Sequence, residues 1–412
     1  MDRGPRVRGR VGGMLTAFEV PNYRLLFAGR LTSNMGRFMR SFARGWLVYQ
    51  LTGSPLRMGI AFSAISWPML IMPLVAGVVA DRADRKQLLL WTEGLLVLLW
   101  TAVALVITLG LFEWWYFIIT AFASGMIQSF GRTGHLAMIG SVVDEERLGN
   151  AVALDSVSQT WPQIGGPALA AVLIGVIGTG GIFWATAALQ LVTFITLVRI
   201  RWDPQDQQAP KESVSKGVLE ALRYVRGETV IVGLVMLGLT SSLFAGSYHF
   251  LLPIFADDIL GAGAQGLGAL MIAIAVGGAT GSVVALAISN ARRSRGLLII
   301  AMVTVTTVAL VAFSFSELLL LSLVAMFGLG ASRIIFMTII TIIMQVSAPD
   351  RMRGRIMSLL VVTHGVTPVG VLIIGAVAEV RGAANTLLLA GLLYGVSSLL
   401  VFVVVPGLRR FQ

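Results

Sequence analysis

The chain has no cysteine, and histidine and lysine are each present only three times in 412 residues. The first absence excludes disulfides and thiolate chemistry. The histidines, His135, His249 and His364, are too dispersed to give a metal-ligand spacing. None of the lysines, Lys86, Lys211 and Lys216, follows a glycine. A P-loop ending in Gly-Lys-[Ser/Thr] is therefore missing, which excludes a primary pump within this chain. Charge is scarce as well. Only 12% of residues are Asp, Glu, Lys or Arg, against 56% hydrophobic, whereas a soluble domain carries about a quarter charged residues. The shortage describes a membrane protein with no room for a sizeable soluble domain.

Twelve apolar segments are present, at 23–50, 57–80, 88–110, 115–138, 149–175, 180–199, 230–256, 264–289, 297–315, 318–346, 356–379 and 383–405. Each is about the 20 residues that a helical span needs. Between the second and third lies Asp81-Arg82-Ala83-Asp84-Arg85-Lys86. Five charges in six residues read as a short turn in water or headgroups, cytoplasmic because Arg82, Arg85 and Lys86 outnumber the two carboxylates. That choice makes both termini cytoplasmic. It puts 23 Lys and Arg on the inner side, Arg24 counted, against Arg57 and Arg381 on the outer. The net charge of +11 is thus read as membrane topology, with no nucleic-acid partner. Residues 1–22, with Arg3, Arg6, Arg8 and Arg10 and no apolar core before Met14, are expected to be a basic cytoplasmic tail and not a cleaved signal peptide.

The same turn carries a resemblance. Gly77, Asp81, Arg82, Arg85 and Lys86 match the G-x-x-x-D-R-x-G-R-[RK] signature between helices two and three of the major facilitator superfamily. Asp84 stands where that signature has its second glycine, and Asp tolerates left-handed backbone better than most residues. Pro21 to Arg30, Trp46 to Pro55 and Asp350 to Arg355 are similar to the twelve-helix exporter branch that includes enterobactin exporters and macrolide efflux proteins. The resemblance implies secondary active efflux of small molecules, usually driven by protons. Gly165-Gly166-Pro167 resembles part of the family's antiporter motif, with Ala170 and Ala171 where glycine is usual.

Internal repetition agrees with it. A shift of 209 residues lays the Asp81 turn over Asn290 to Arg295, and a shift of 205 lays Asp144 to Gly149 over Pro349 to Gly354. Two parallel repeats with substrate held between them near the midplane are expected. The expected fold is an all-α polytopic membrane protein of twelve transmembrane helices in two pseudo-symmetric six-helix bundles. A tail (1–22) precedes the first bundle (23–199). A cytoplasmic linker (200–229), with a short amphipathic helix over 214–226, leads to the second bundle (230–405) and a tail (406–412). In the eighth span, Gly277 and Gly281 give the small-xxx-small spacing for close helix contact.

Ionisable groups inside spans are costly and mark cavities or partners. In the first span Arg30, Arg37, Arg40 and Arg44 fall within an arc of roughly 80° at about 100° per residue, with Ser33, Asn34 and Ser41 beside them. Arg30 and Arg44 lie near enough to the headgroup layers to snorkel, whereas Arg37 and Arg40 are the best binding candidates. The fourth span brings Gln128, Arg132 and His135 to one face, and the fifth brings Asp155, Ser158, Gln159 and Pro162. Asp155 and Glu93 are the carboxylates placed within spans, against six arginines including Arg132 and Arg333. That surplus argues for an anionic or zwitterionic substrate or a lipid headgroup, the plainer alternative being compensation by water and helix carbonyls.

The expected cavity is lined by Asn34, Arg37, Arg40, Arg44, Gln128, Arg132, His135, Gln159 and Arg333. Proton-coupling candidates are Asp155, Glu93, His249 and His364. For Glu93, a permanent ion pair with Arg30 or Arg132 is the preferred alternative. A cytoplasmic latch is expected from Gly77, Asp81, Arg82, Arg85 and Lys86 against Asp144, Glu145 and Glu146. The partners are a small-molecule substrate, protons or another coupling ion, and the bilayer of the cell (inner or plasma) membrane. No cofactor is expected, and the chain is expected to be a monomer. A flippase of lysophospholipid or another amphiphile is the alternative within transport. An intramembrane enzyme lacks a clustered acid, base and nucleophile, and a receptor lacks an output domain.

Overall fold

The computed structural model describes residues 12–68, 72, 84–201, 228–289, 295–347 and 352–408. Among these residues there is no strand. The helices are α1 (Pro21–Thr52), α2 (Pro55–Ser63), α3 (Arg85–Thr108), α4 (Tyr116–Val142), α5 (Glu145–Arg199), α6 (Thr229–Thr240), α7 (Gly263–Ser289), α8 (Arg295–Ser314), α9 (Leu319–Ser347), α10 (Arg353–His364), α11 (Thr367–Arg381) and α12 (Ala383–Val404). Seven described segments are long and apolar enough to cross a membrane. The arginine-bearing α1 is not one of them. Its 32 residues are long enough, so its charge and not its length sets it apart.

Local chemistry sets the helix ends. α1 starts with Pro21 in its first turn, where a missing N–H costs nothing, and stops at Gly53 in left-handed backbone (φ 56°), whose N–H bonds to Tyr49. Asp84 does not use the left-handed conformation that the sequence allowed. It is extended (φ −61°, ψ 124°), and its carboxylate caps α3 by accepting from the N–H groups of Lys86 and Gln87. The fifth and sixth spans form one continuous element broken at Gly178 (φ 67°). The seventh is interrupted after α6 by a π turn at Ser241–Ala245, a 3₁₀ turn at His249–Leu251 and a second π turn at Phe255–Ile259. The eleventh breaks between α10 and α11, where Pro368 sits in the first turn of the new helix.

Both tails reach further into the structure than the sequence suggested. Gly12–Glu19 is a 3₁₀ helix with Ala17 fully buried, its N–H donating to Asn150 at 3.1 Å. Pro406–Leu408 forms another, with Leu408 buried against the position of Gly233, where a Cβ would lie 2.7 Å from Leu408 Cδ1. The expected amphipathic helix at 214–226 lies outside the described residues. The small-xxx-small spacing has the anticipated use. A Cβ on Gly277 would lie 2.1 Å from the Phe327 carbonyl oxygen and one on Gly281 2.6 Å from that of Ala331, so α7 and α9 touch backbone to backbone.

The first six spans and the last six are in contact around Thr52–Pro55. There Gly59 of α2 packs on the backbone of Val371 and Gly375 in α11. Gly268 of α7 packs on Ala171 of α5. This end also holds a carboxylate the sequence reading passed over. Glu379, the last residue of the eleventh span as drawn, accepts from Ser54 Oγ at 2.8 Å and from the Leu56 N–H at 3.0 Å. It places negative charge at the N-terminus of α2, where the helix dipole favours it. Beside it, the Tyr49 hydroxyl lies 2.8 Å from Asp257 Oδ2 and 2.5 Å from Asp258 Oδ1, on the far half.

Candidate functional site

The unbroken α1 carries its arginine stripe into the first half, and the stripe meets polar side chains of α3, α4 and α5. A cavity of about 170 Å³ there is lined by Arg30, Asn34, Arg37, Arg40, Glu93, Gln128 and Gln159 among others. Five of those residues are cavity candidates from the sequence and Glu93 is a coupling candidate. Gln190 and Thr193 of the sixth span line it too and were missed. The signal available for Gln190 was an amide inside an otherwise apolar run.

Two hydrogen-bonded chains organise the cavity. Arg37 Nη2 donates to Asn34 Oδ1 at 2.9 Å, and Asn34 Nδ2 donates to the Ser158 carbonyl at 3.0 Å. Arg40 Nη2 reaches Gln190 Oε1 at 3.5 Å, and Gln190 Nε2 donates to Glu93. Asp155, only 6% exposed, faces Arg30 Nε at 3.8 Å and accepts from Gln159 Nε2 at 3.0 Å. The ion pair preferred for Glu93 is not the one described; for Asp155, where pairing and coupling stood equal, the pair is present. Asp155 holds the ion pair, whereas Glu93 makes none among the described residues and lies within electrostatic reach of both Arg30 and Arg40.

A second cavity of about 230 Å³ follows, sharing Arg37, Arg40 and Gln128 with the first and adding Arg44, Trp100, Phe117 and Phe183. The Arg40 guanidinium sits 4.5 Å from the Trp100 ring centroid, and that of Arg44 sits 4.9 Å from Phe62. Neither Arg40 nor Arg44 snorkels out. Arg40 Nη1, Arg44 Nε and Trp100 Nε1 are buried and have no hydrogen-bond partner. All three are donors that carry no acceptor function. A third cavity, about 340 Å³, continues from Arg44 across to the second half and is lined by Phe38, Phe62, His249, Phe250, Met271 and Val371 among others. The three form a row along α1 that turns from polar to apolar.

The remaining sequence candidates stand apart from this row or beyond description. Arg333 lines a separate pocket in the second half. Arg132, His135 and His364 lie in α4 and α10, with side chains outside the described set. Gly77, Asp81 and Arg82 of the latch lie outside the described residues, as do the side chains of Arg85 and Glu145. Lys86 Nζ does not meet the acidic turn. It donates to the Ile200 carbonyl at 2.7 Å, at the end of α5, where the helix dipole favours a cation. Asp144 faces Arg147 at 3.4 Å, and Arg147 also pairs with Glu19 at 3.0 Å.

Comparison with known proteins agrees with this architecture. The model of the transmembrane secretion effector family matches residues 13–409. The chain is 25% identical to the enterobactin exporter EntS of Citrobacter koseri over 396 residues, 95% of this chain and 94% of that one. It is 24% identical to the enterobactin exporter EntS of Escherichia coli O139:H28, with the same coverage. Among solved structures it is similar to the nucleoside transporter NupG, with a TM-score of 0.72 at 14% identity, covering 94% of this chain and 100% of that one. It is also similar to a bacterial homologue of the human lysosomal transporter Spinster, solved inward-facing and unoccupied, with a TM-score of 0.74 at 12% identity, covering 94% and 98%.

Proposed function

The chain belongs to the transmembrane secretion effector family, a branch of the major facilitator superfamily whose members are transporters and not enzymes, and we propose that it exports an anionic amphiphile in exchange for protons. One observation carries the choice of substrate: three buried donors, on Arg40, Arg44 and Trp100, surround the second cavity without an acceptor. Buried donors left unpaired cost about 1–3 kcal/mol each, more when charged. A ligand supplying carboxylate, sulfate or phenolate oxygens offsets that cost. The aromatic walls of the second cavity and the apolar lining of the third suit the rest of such a molecule. Enterobactin is what the relatives' names say they export; at 25% identity we adopt the direction of transport and leave the compound to chemistry.

The bland alternative, that these arginines are paired structural charges, fits Arg30 and not Arg44, which forms neither ion pair nor hydrogen bond among the described residues. The positive-inside rule supports a cytoplasmic position for both termini in the cell membrane. On that topology the contacts around Thr52–Pro55 lie on the outer side. Export would proceed by rocking the halves, breaking the Tyr49–Asp257/Asp258 and Ser54–Glu379 contacts and closing the opposite end. Glu93 is our candidate for the coupling proton, because it sits in the substrate cavity without a fixed ion pair and can exchange its neutralising arginines for a proton.

The test uses sealed proteoliposomes with an internal pH dye, an imposed gradient and a panel of anionic, zwitterionic and cationic amphiphiles. Proton movement that requires an anionic compound and is lost in Arg44→Gln supports the proposal; movement driven only by cationic compounds overturns it. The apolar lining of the third cavity favours a second reading as a lysophospholipid flippase. Redistribution of labelled lysolipid between leaflets without proton movement would select that reading and leave Glu93 a structural role.

A further inference from the structure

We propose that the second half holds its own site for a chloride-sized anion, between Arg333 of α9 and Tyr248 of the broken seventh span. Arg333 forms no hydrogen bond or ion pair among the described residues, and it lies within electrostatic reach of Tyr248, His249 and Tyr394. The carboxylates described in this half, Glu228, Asp257, Asp258, Glu317 and Glu379, all stand at helix ends. Three of them are held elsewhere, by Tyr49, Ser54 and the Leu56 N–H. Among the described residues the cation therefore has no paired protein counter-charge, and an uncompensated charge at membrane depth is expensive.

A second observation points into the same space. The Tyr248 hydroxyl is buried without a hydrogen-bond partner, on a residue only 2% exposed. Arg333 and Tyr248 share a pocket of about 20 Å³ with Ser241, Ser242, Thr306 and Tyr394. That volume is close to the roughly 10–15 Å³ that one water-sized occupant needs, so an amphiphile is excluded on size. A water could satisfy the tyrosine, but only an anion also neutralises the guanidinium. The pocket forms where Ser241–Ala245 winds as a π turn, a distortion frequent at functional sites. Tyr394 is already engaged with Ser241 and Ser398 and Thr306 with Ser332. Arg333 and Tyr248 are the charged donor and the buried unpartnered donor of this pocket, with the Ser242 and Thr367 hydroxyls beside them.

The site is tested on the purified full-length protein by thermal unfolding, replacing sodium gluconate with sodium chloride at constant ionic strength. A ligand bound only to the folded state raises the midpoint as its concentration passes its Kd. The wild type should show a saturable rise with chloride, and Arg333→Gln should be flat. Tyr248→Phe should shift half-saturation to about tenfold higher chloride, the loss of one hydrogen bond to a charged group. Arg44→Gln should keep the wild-type response. A flat wild type, an Arg333→Gln variant that still responds, or a response lost in Arg44→Gln instead would each overturn the site. If Arg333→Gln does not fold, an unchanged half-saturation in Tyr248→Phe overturns it alone.

Discussion

On the expected two-bundle arrangement the first and seventh spans correspond, yet they are built in opposite ways. α1 is an unbroken 32-residue helix that carries five arginines, four of them on one face, and that face is met by an amide and a carboxylate of α5. The seventh span has no arginine or lysine over 229–259 and is instead broken by two π turns and a 3₁₀ turn, with Asp257 and Asp258 at its far end. The first span therefore concentrates charge on an unbroken element, and the seventh concentrates backbone irregularity next to the Tyr49–Asp257/Asp258 contacts. Binding chemistry needs fixed donors, whereas opening and closing needs a helix able to change shape, so a division of labour between halves follows from the physical demands of transport.

The largest expected effect is on the charged half. Arg40→Ala removes the cation between Trp100 and Gln190 and leaves Glu93 without that neighbour; breaking a buried charge network costs about 3–5 kcal/mol. We expect transport in proteoliposomes to fall at least a hundredfold; near-normal transport would show that α1 is scaffold and erase the contrast. Glu93→Gln comes next. It should abolish proton-driven export while leaving substrate exchange across membranes without a gradient. Loss of both would make Glu93 a binding or structural group.

The gate should respond more weakly. Glu379→Gln weakens two bonds to a charged acceptor, worth about 1.5 kcal/mol or more, and should move the balance toward opening at the Thr52–Pro55 end by about tenfold. Because the chain has no cysteine, a spin-label pair on introduced cysteines reads this by distance measurement without background labelling. No change in the distance distribution would make the Glu379 contacts ornamental to closure. The smallest effect is expected in the apolar half: Thr306→Val breaks the 2.8 Å bond to Ser332 and should lower stability by about 1 kcal/mol with transport intact. A transport defect there would mean that substrate reaches beyond α1.

Legibility followed range. The arginine stripe was readable because helical periodicity puts Arg30, Arg37, Arg40 and Arg44 on one face whatever they touch. The fold class was readable for the same reason: runs of about 20 apolar residues have few alternatives in a bilayer. The partners of the stripe were not. Gln190 lies 150 residues from Arg40 along the chain, and nothing local to either residue encodes their meeting. The position of Glu93 near the inner end of its span suggested an ion pair there, and only packing gave the described pair to Asp155 instead. Glu379 escaped notice because it sits at a span's edge, where a carboxylate ordinarily faces water; its partners Ser54 and Leu56 lie 325 and 323 positions away along the chain.

The sequence by itself determined that this chain crosses a membrane many times, that its excess buried charge is positive, and that the charge lies along one face of the first span. Those properties reside in composition and in periods of a few residues. Which arginine is paired, which donors are left without a protein partner, and which side chains join around Thr52–Pro55 were decided only by tertiary structure. Each depends on distances between side chains more than a hundred positions apart, and a helix's own sequence sets which face is polar but not what that face will meet.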